Sequence, residues 1–419
     1  MAIGQSTWES RGYGSNEYVI NPETSKNIAK EYRFQSVLGK LSRPMKNVTV
    51  GQGQEARQMD IGASACIWTK EIKSGDEVRF TLEQNMSGSP TYGDAPVRVG
   101  NYLAYLHQTI FLNQIDTPAV PLPGEMSLQR VRDVISDTTS RIRTEITMYL
   151  AEQYVYDVFE AHLRGASRTL SAARADGGRA INLGLGAGVQ VSPENFLVPG
   201  VGFVSGVSGT SAYETNVETA LGTLTDTAGD KISRTFIHNL RAALTQKKIS
   251  GSTMDGSAEN KWYAMCDPDL LTRLSTPGGE LANLWAASRE RAKSNPVYGH
   301  GAIELDDIIF CPDQRLKQFR ANIDSGIVWG ENTDDRRAFV PTSNIALMII
   351  MGNGAILEGH NGSVDITHEK GFHGKGQSYD GHVKQAFMRA RWVPQDGRTG
   401  IVLNQSSMTV AFYEPGIEW

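Results

Sequence analysis

Cysteine is scarce in these 419 residues: Cys66, Cys266 and Cys311 stand far apart, are odd in number and form no CxxC pair. That excludes a disulfide framework and a thiolate zinc site, and it fits a reducing compartment. Long apolar runs are missing as well. The most hydrophobic stretch, residues 345–350, falls far short of the roughly 20 residues that a membrane-spanning helix needs. The opening MAIGQSTWES has neither a basic nor an apolar region and does not read as a signal peptide. Excess positive charge is absent too. A net charge of −5 argues against nucleic acid as the main binding partner, which would favour a basic domain. What remains, 40% hydrophobic and 21% charged, is an ordered chain long enough for two or three packed units.

Motifs that carry chemistry are also missing. Neither GxSxG, nor a Walker loop, nor HExxH occurs. Gly184-Gly186-Gly188 and Gly200-Gly202 lack the third glycine of a dinucleotide fingerprint. Asp306-Asp307 and Asp334-Asp335 are adjacent; on a strand such neighbours face opposite sides and share no acid–base site. His360, His368, His373 and His382 gather near Asp365, Glu369 and Asp380, but in no spacing of a known zinc site. No catalytic residue, cofactor or metal is assigned.

The strongest positive signal is residues 127–164, free of proline and glycine. Leu128, Val131, Ile135, Ile142, Ile146, Tyr149, Tyr156, Phe159 and Leu163 recur at gaps of three, four or seven, the stripe of an amphipathic helix. Ser127 supplies an N-cap and Gly165 an exit. At 1.5 Å per residue the rod is roughly 57 Å long. The other face mixes both signs, Arg141, Arg143, Glu145, Glu152 and Asp157 among them, so it is expected to be solvated or paired. A helix lying across a sheet fits better than a coiled coil, because Thr138 and Gln153 interrupt the stripe.

Residues 1–60 are polar and weakly periodic, with Lys26, Lys30, Arg33, Lys40, Arg43 and Lys46 against Glu31 alone between positions 26 and 46. Taken by itself this segment suggests a solvated tail; the sharper alternative is an arm laid on a neighbouring subunit. Residues 66–116 form a long two-armed excursion: strand-like 66–70 and 77–83, a Gly/Pro/Ser-rich tip, and a return over 102–115. A hairpin of this length needs another surface to lie on. Residues 166–235 are dominated by Gly, Ala, Ser and Thr and read as a loop-rich insertion. Further on, 236–244, 262–266, 268–291, 301–311 and 344–357 read as short helices and strands. Residues 383–393 and 400–412 read as two strands joined around Asp396-Gly397. The fold class is α+β with mostly antiparallel sheet.

The order of these parts resembles the major capsid proteins of tailed bacteriophages, of Hong Kong 97-type fold. Within them it is similar to the family typified by coliphage N-four. The stretches that carry the resemblance are GDEVRFTL (75–82) with MSGSPTYGD (86–94), KSNPVYGHGAIELDDIIFCPDQRL (293–316), ALMIIMGNGAI (346–356), and AFMRARWVP followed by GIVLNQSSMTVAF. The resemblance implies an N-terminal arm (1–60), an extended loop with flanks (61–125) and a peripheral domain (126–249) with a spine helix and the 166–235 insertion. An axial domain (250–375) and closing strands (376–419) follow. It implies a non-enzymatic shell protein of the virion, assembled in the host cytoplasm as hexamers and pentamers around packaged DNA. Scaffold, portal and decoration proteins would be further partners; membrane would not. Intersubunit contacts are expected at Lys26, Lys30, Arg33, Lys40, Arg43, Ser89, Pro90, Tyr92, Asp94 and Arg98. An encapsulin-type shell, or an enzyme binding ligand in its glycine-rich segment, are the alternatives; closed particles or turnover would separate them.

Overall fold

The computed structural model describes residues 29, 31–33, 36–50, 57–61, 64–72, 75–83, 105–122, 134–164, 195–206, 211–252, 261–275, 303–319, 344–370, 377–390, 393–394 and 406–414. Its first half is built of short strands before one long helix. After α1 (Val37–Lys40) come β1 (Ser42–Pro44), β2 (Lys46–Val50), β3 (Arg57–Ile61) and β4 (Ile67–Glu71). The excursion supplies β5 (Glu77–Glu83), β6 (Tyr105–Phe111), β7 (Asn113–Asp116) and β8 (Val120–Leu122), and α2 spans Val134–Arg164. Then follow β9 (Phe196–Val198), β10 (Gly202–Phe203), α3 (Ser211–Gly222), α4 (Arg234–Gln246), β11 (Trp262–Cys266) and α5 (Pro268–Ser275). The last part contains β12 (Ile303–Leu305), β13 (Ile308–Pro312), a 3-10 turn (Gln314–Phe319) and β14 (Ile345–Met351). It closes with β15 (Ile356–Lys370), β16 (Gln377–Arg389), β17 (Val393–Pro394) and β18 (Ser407–Tyr413).

Among the described residues two large mixed sheets dominate. One runs β1-β4-β15-β16-β7, with β8 also on β16; the other runs β10-β9-β18-β14-β11-β13-β12. Every residue of β14 (IALMIIM) is buried, because both faces of its sheet are covered. Ile345, Leu347, Ile349 and Met351 join the core shared with α2, whereas Ala346, Met348 and Ile350 meet α4 and α5. The short helices are capped locally: Ser233 Oγ accepts from Phe236 N at 3.2 Å, and Asp267 Oδ1 accepts from Asp269 N at 3.0 Å.

The helix stripe holds for the first turns described, then fails. Ile142 and Ile146 are buried while Met148 is 58% exposed, as a one-sided helix requires. From Leu150 onward burial spreads around the rod: Ala151, Tyr154, Val155, Tyr156, Val158, Phe159, Ala161 and Leu163 all lie in the core. Of the face expected to be solvated or paired, Asp157 is paired: it is 4% exposed and accepts from Gln153 Nε2 at 2.7 Å. The physical reason for the wider burial is that the second half of α2 packs against both large sheets. Close approach to the first sheet needs Gly381, where a Cβ would stand 2.9 Å from Ile146 Cγ2. The turn before residue 134 lies outside the described residues.

Several other expectations change. The excursion's base does not wait for a neighbour. β5 and β6 pair from Glu77↔Phe111 to Glu83↔Tyr105, and Val78, Phe80 and Ile110 pack with Trp68, Leu357 and Met388 of the chain's own sheet. The described residues between Ala29 and Pro44 are no solvated tail, since Ala29, Tyr32, Val37, Leu38 and Leu41 enter the main core. The described residues 195–206 and 211–235 hold β9, β10 and α3 rather than loop alone, with Phe196, Val198, Tyr213, Val217 and Leu221 buried. Small polar residues on exposed turns hid those anchors. β16 and β18 do not form a hairpin but belong to different sheets. Asp306 and Asp307 are not strand residues; with φ of 50° and 65° they make the tight turn between β12 and β13. The residues 166–194, 276–291 and the excursion's tip lie outside the described part.

Candidate functional site

The most concentrated polar chemistry lies on the face of the first sheet that α2 covers. Side chains alternate along a strand, so Ile356, Glu358 and His360 of β15 point to the same side, opposite Gln385 and Phe387 of β16. The apolar members belong to the core, and Glu358 (0% exposed), His360 and Gln385 form a buried polar island within it. Arg33 enters from the N-terminal side. Its Nη2 stands 3.0 Å from Glu358 Oε1 and its Nη1 3.0 Å from His360 Nε2, while its Nε donates to Tyr32 Oη at 3.3 Å. Tyr32 Oη donates to Gln385 Oε1 at 2.8 Å, and Tyr154 Oη of α2 donates to Glu358 Oε2 at 3.2 Å. Tyr154 also meets the edges of Phe387 and Tyr32, with ring centroids 5.1 and 6.2 Å away.

Burial sets the charges in this island. It pushes the Glu358 carboxyl up, against the pull of Arg33 and Tyr154. Burial, reinforced by Arg33, holds the His360 imidazole down at about 3, so His360 is neutral. Burial also works against the Arg33 charge, and Glu358, Tyr32 and Tyr154 more than restore it. Such an arrangement is a structural lock: an ion pair of this depth contributes little net stability but is costly to break from one side.

Three further polar clusters stand apart. Arg389, fully buried, donates from Nη1 to the His162 carbonyl at 2.9 Å, and His162 Nε2 lies 2.9 Å from Thr409 Oγ1, which ties α2 to both sheets. His382 sits between two carboxylates, with Nδ1 2.5 Å from Asp116 Oδ1 and Nε2 3.2 Å from Asp380 Oδ2. The two oxygens occupy opposite ring nitrogens, so they cannot converge on one ion. Arg273 clamps Glu414, which is 1% exposed, through Nε and Nη2 at 2.9 Å. A groove of about 540 Å³ runs beside α2, lined by Ser36, Thr117, Pro118, Glu145, Met148, Tyr149, Glu152 and Arg315. Its two glutamates lie seven positions apart on one helix, and its Ser36 hydroxyl is engaged with Gly39 N and the Arg33 carbonyl at the start of α1. Among the described residues no His, Cys, Asp and Glu group could hold a metal ion.

The residues expected at intersubunit contacts divide as follows. Arg33 is corrected: 14% exposed, it is spent on Glu358 and His360 of its own chain. Its neighbours Ala29 and Tyr32 carry it into the core, where a buried carboxylate demands it. Lys40 lies in the last turn of α1, and Arg43 is at the surface, turned back to the carbonyls of Lys40 (3.2 Å) and Ser42 (2.9 Å). Lys26, Lys30, Ser89, Pro90, Tyr92, Asp94 and Arg98 lie outside the described residues. The sequence reading missed Glu358, Gln385 and Tyr154; a lone glutamate within an apolar strand was the available signal.

The whole architecture is shared with known shells. The structure is similar to the capsid of Ralstonia phage GP4, with a TM-score of 0.55 at 15% identity over 89% of this chain and 96% of that one. It is similar to the cyanophage Pam1 capsid asymmetric unit, with a TM-score of 0.54 at 14% identity over 85% and 90%. The acidic stable capsid of Helicobacter pylori bacteriophage KHP30 gives a TM-score of 0.50 at 11% identity over 87% and 94%. No curated protein matches the chain. These likenesses bear out the α+β capsid fold. A family model described as phage capsid protein matches residues 24–366, a span that contains α2, β14 and the island residues Arg33, Tyr154, Glu358 and His360; the chain belongs to that family.

Proposed function

We propose that this capsid protein is the major shell subunit of a tailed bacteriophage, closing as hexamers and pentamers around packaged DNA without a catalytic step of its own. The family match across residues 24–366 carries the reading. Supporting it, among the described residues, are buried ion pairs and hydrogen bonds that tie α2 to both sheets. The finer kinship with coliphage N-four capsids is supported by the order of the segments at 75–94, 293–316 and 346–356. In this reading residues 1–60, 61–125, 126–249, 250–375 and 376–419 serve as arm, extended loop, peripheral domain, axial domain and closing strands. Lys26, Lys30, Lys40, Arg43 and the tip residues Ser89, Pro90, Tyr92, Asp94 and Arg98 meet neighbouring subunits. Scaffold, portal and decoration proteins are its further partners, and assembly takes place in the host cytoplasm.

Negative-stain microscopy and sedimentation velocity of the expressed protein test this. Closed shells are expected. Replacing residues 87–97 by a short Gly-Ser bridge should leave a folded subunit that no longer closes, because a shell multiplies each weak contact many times. Normal shells from that deletion would remove the loop tip from the assembly contacts. A strictly monomeric protein, alone and with co-expressed phage assembly factors, would overturn the shell reading.

A further inference from the structure

The N-terminal segment that carries Arg33 is attached in an unusual way. Ala29, Tyr32 and Arg33 belong to no strand of either sheet, and the contacts that bind them to the sheet and to α2 run through their side chains. Ala29 and Tyr32 are buried, Glu31 makes a partly exposed ion pair with Arg143 of α2, and Arg33 reaches the island. The island itself is under-satisfied: His360 Nδ1 and Gln385 Nε2 make no hydrogen bond to the protein. Both would gain partners if water entered.

The decisive contact is the one between Arg33 and His360. A guanidinium has only donors, so His360 Nε2, 3.0 Å from Arg33 Nη1, must accept, and its proton sits on Nδ1. A second proton would set two cationic donors face to face in a buried site. We propose that these contacts make the segment a pH-operated strap, which acid releases from the cleft between α2 and the first sheet while the sheets stay closed. The groups that face His360 are Arg33 and Tyr32 of the strap, Glu358 on its own strand, Gln385 in register on β16 and Glu71 in register on β4. Tyr154 of α2 joins through Glu358.

The direction of the pH effect follows from linkage. His360 is held at about 3 when the strap is closed and returns to its ordinary 6.5 when water reaches it. Its contribution to closure is therefore full above pH 6.5 and is lost as pH falls toward 3. Glu358, raised by burial, has the opposite sign: its contribution is present in acid and lost as pH rises through its folded value. Glu358→Gln removes this opposition; it also strands Arg33, which raises opening at every pH, so the histidine is read from the pH slope alone.

Hydrogen exchange of the free subunit, corrected for its intrinsic pH dependence, reads the strap directly and requires no shell. Failure would thus leave the capsid reading intact. In wild type, the peptide holding residues 29–33 should lose protection between pH 7.5 and 5, and at pH 5 it should be far less protected than β14 and the second half of α2. In Glu358→Gln, opening should rise about thirty-fold over that range, the ratio set by the two imidazole values. His360→Gln should flatten the dependence, and His162→Gln, away from the strap, should not shift it. A wild-type strap equally protected at both pH values overturns the proposal. So does a strap that at pH 5 is as protected as β14, or an unchanged pH dependence in a folded His360→Gln. If neither island variant folds, the wild-type comparison between strap and β14 still decides.

Discussion

Truncating Phe80 to alanine separates two accounts of the excursion. Phe80 is fully buried and lies with Val78 and Ile110 against Trp68, Leu357 and Met388. The contact is tight: a Cβ at Gly359 would stand 2.8 Å from Val78 Cγ2 and 2.9 Å from Leu112 Cδ2. Gln108, paired in register with Phe80, adds a bond from Nε2 to the Arg389 carbonyl at 3.0 Å. Losing a buried phenylalanine costs about 3–5 kcal/mol, the removed transfer energy plus the cavity left behind. If β5 and β6 open as a local unit, that is an increase in opening of at least about a hundredfold, at roughly 1.4 kcal/mol per decade. Amide exchange in residues 105–111 of the dissociated subunit should accelerate accordingly. Arg79→Ala, on the exposed face of the same strand, should stay within about 0.5 kcal/mol. Should the Phe80 variant leave exchange unchanged in free subunits and alter only shells, the excursion's base is ordered by neighbours and the intrachain packing argument is wrong.

Further outcomes can be checked with less effort. Ile146→Asp should prevent folding by burying an unpaired charge, whereas Met148→Asp, two positions on and 58% exposed, should express and melt like wild type. All three thiols should resist a thiol reagent in the native state at pH 8 and react on denaturation. Each is buried, and burial pushes Cys311 up to about 12 and holds Cys66 and Cys266 well above the ordinary thiol value. The melting temperature should fall as pH drops from 7 to 5. Burial and Arg389 keep His162 neutral, so its contribution is full above pH 6.5 and is lost below it; an acid-independent melt would contradict that placement.

Local pattern revealed elements and concealed partners. The period of three and four at Ile142 and Ile146, the apolar run of β14 and the five residues of β11 could each be read directly. The all-round burial after Leu150 could not, because nothing local says that a second sheet covers the outer face of α2. The turn at Asp396-Gly397 suggested pairing between 383–393 and 400–412, yet pairing depends on the competing β14 edge, to which β18 offers a full antiparallel register from Ile345↔Tyr413 to Met351↔Ser407. Arg33 looked like one charge in a basic run. Its role depended on Glu358, more than three hundred positions away, and long-range electrostatics of that kind leaves no trace in spacing.

The position of β18 bears on the order of events during synthesis. This strand lies between β9 and β14 in the interior of its sheet, yet it is translated after every other described strand. Until it emerges, β14 presents an unpaired edge of seven apolar residues, a surface prone to pair with any similar edge nearby. A nascent subunit therefore cannot complete the wall against which α2 is clasped, and many ribosomes on one message would hold such edges close together. Completion of the sheet by its last strand delays the finished surface until translation has passed residue 413, which keeps half-made subunits out of a growing shell.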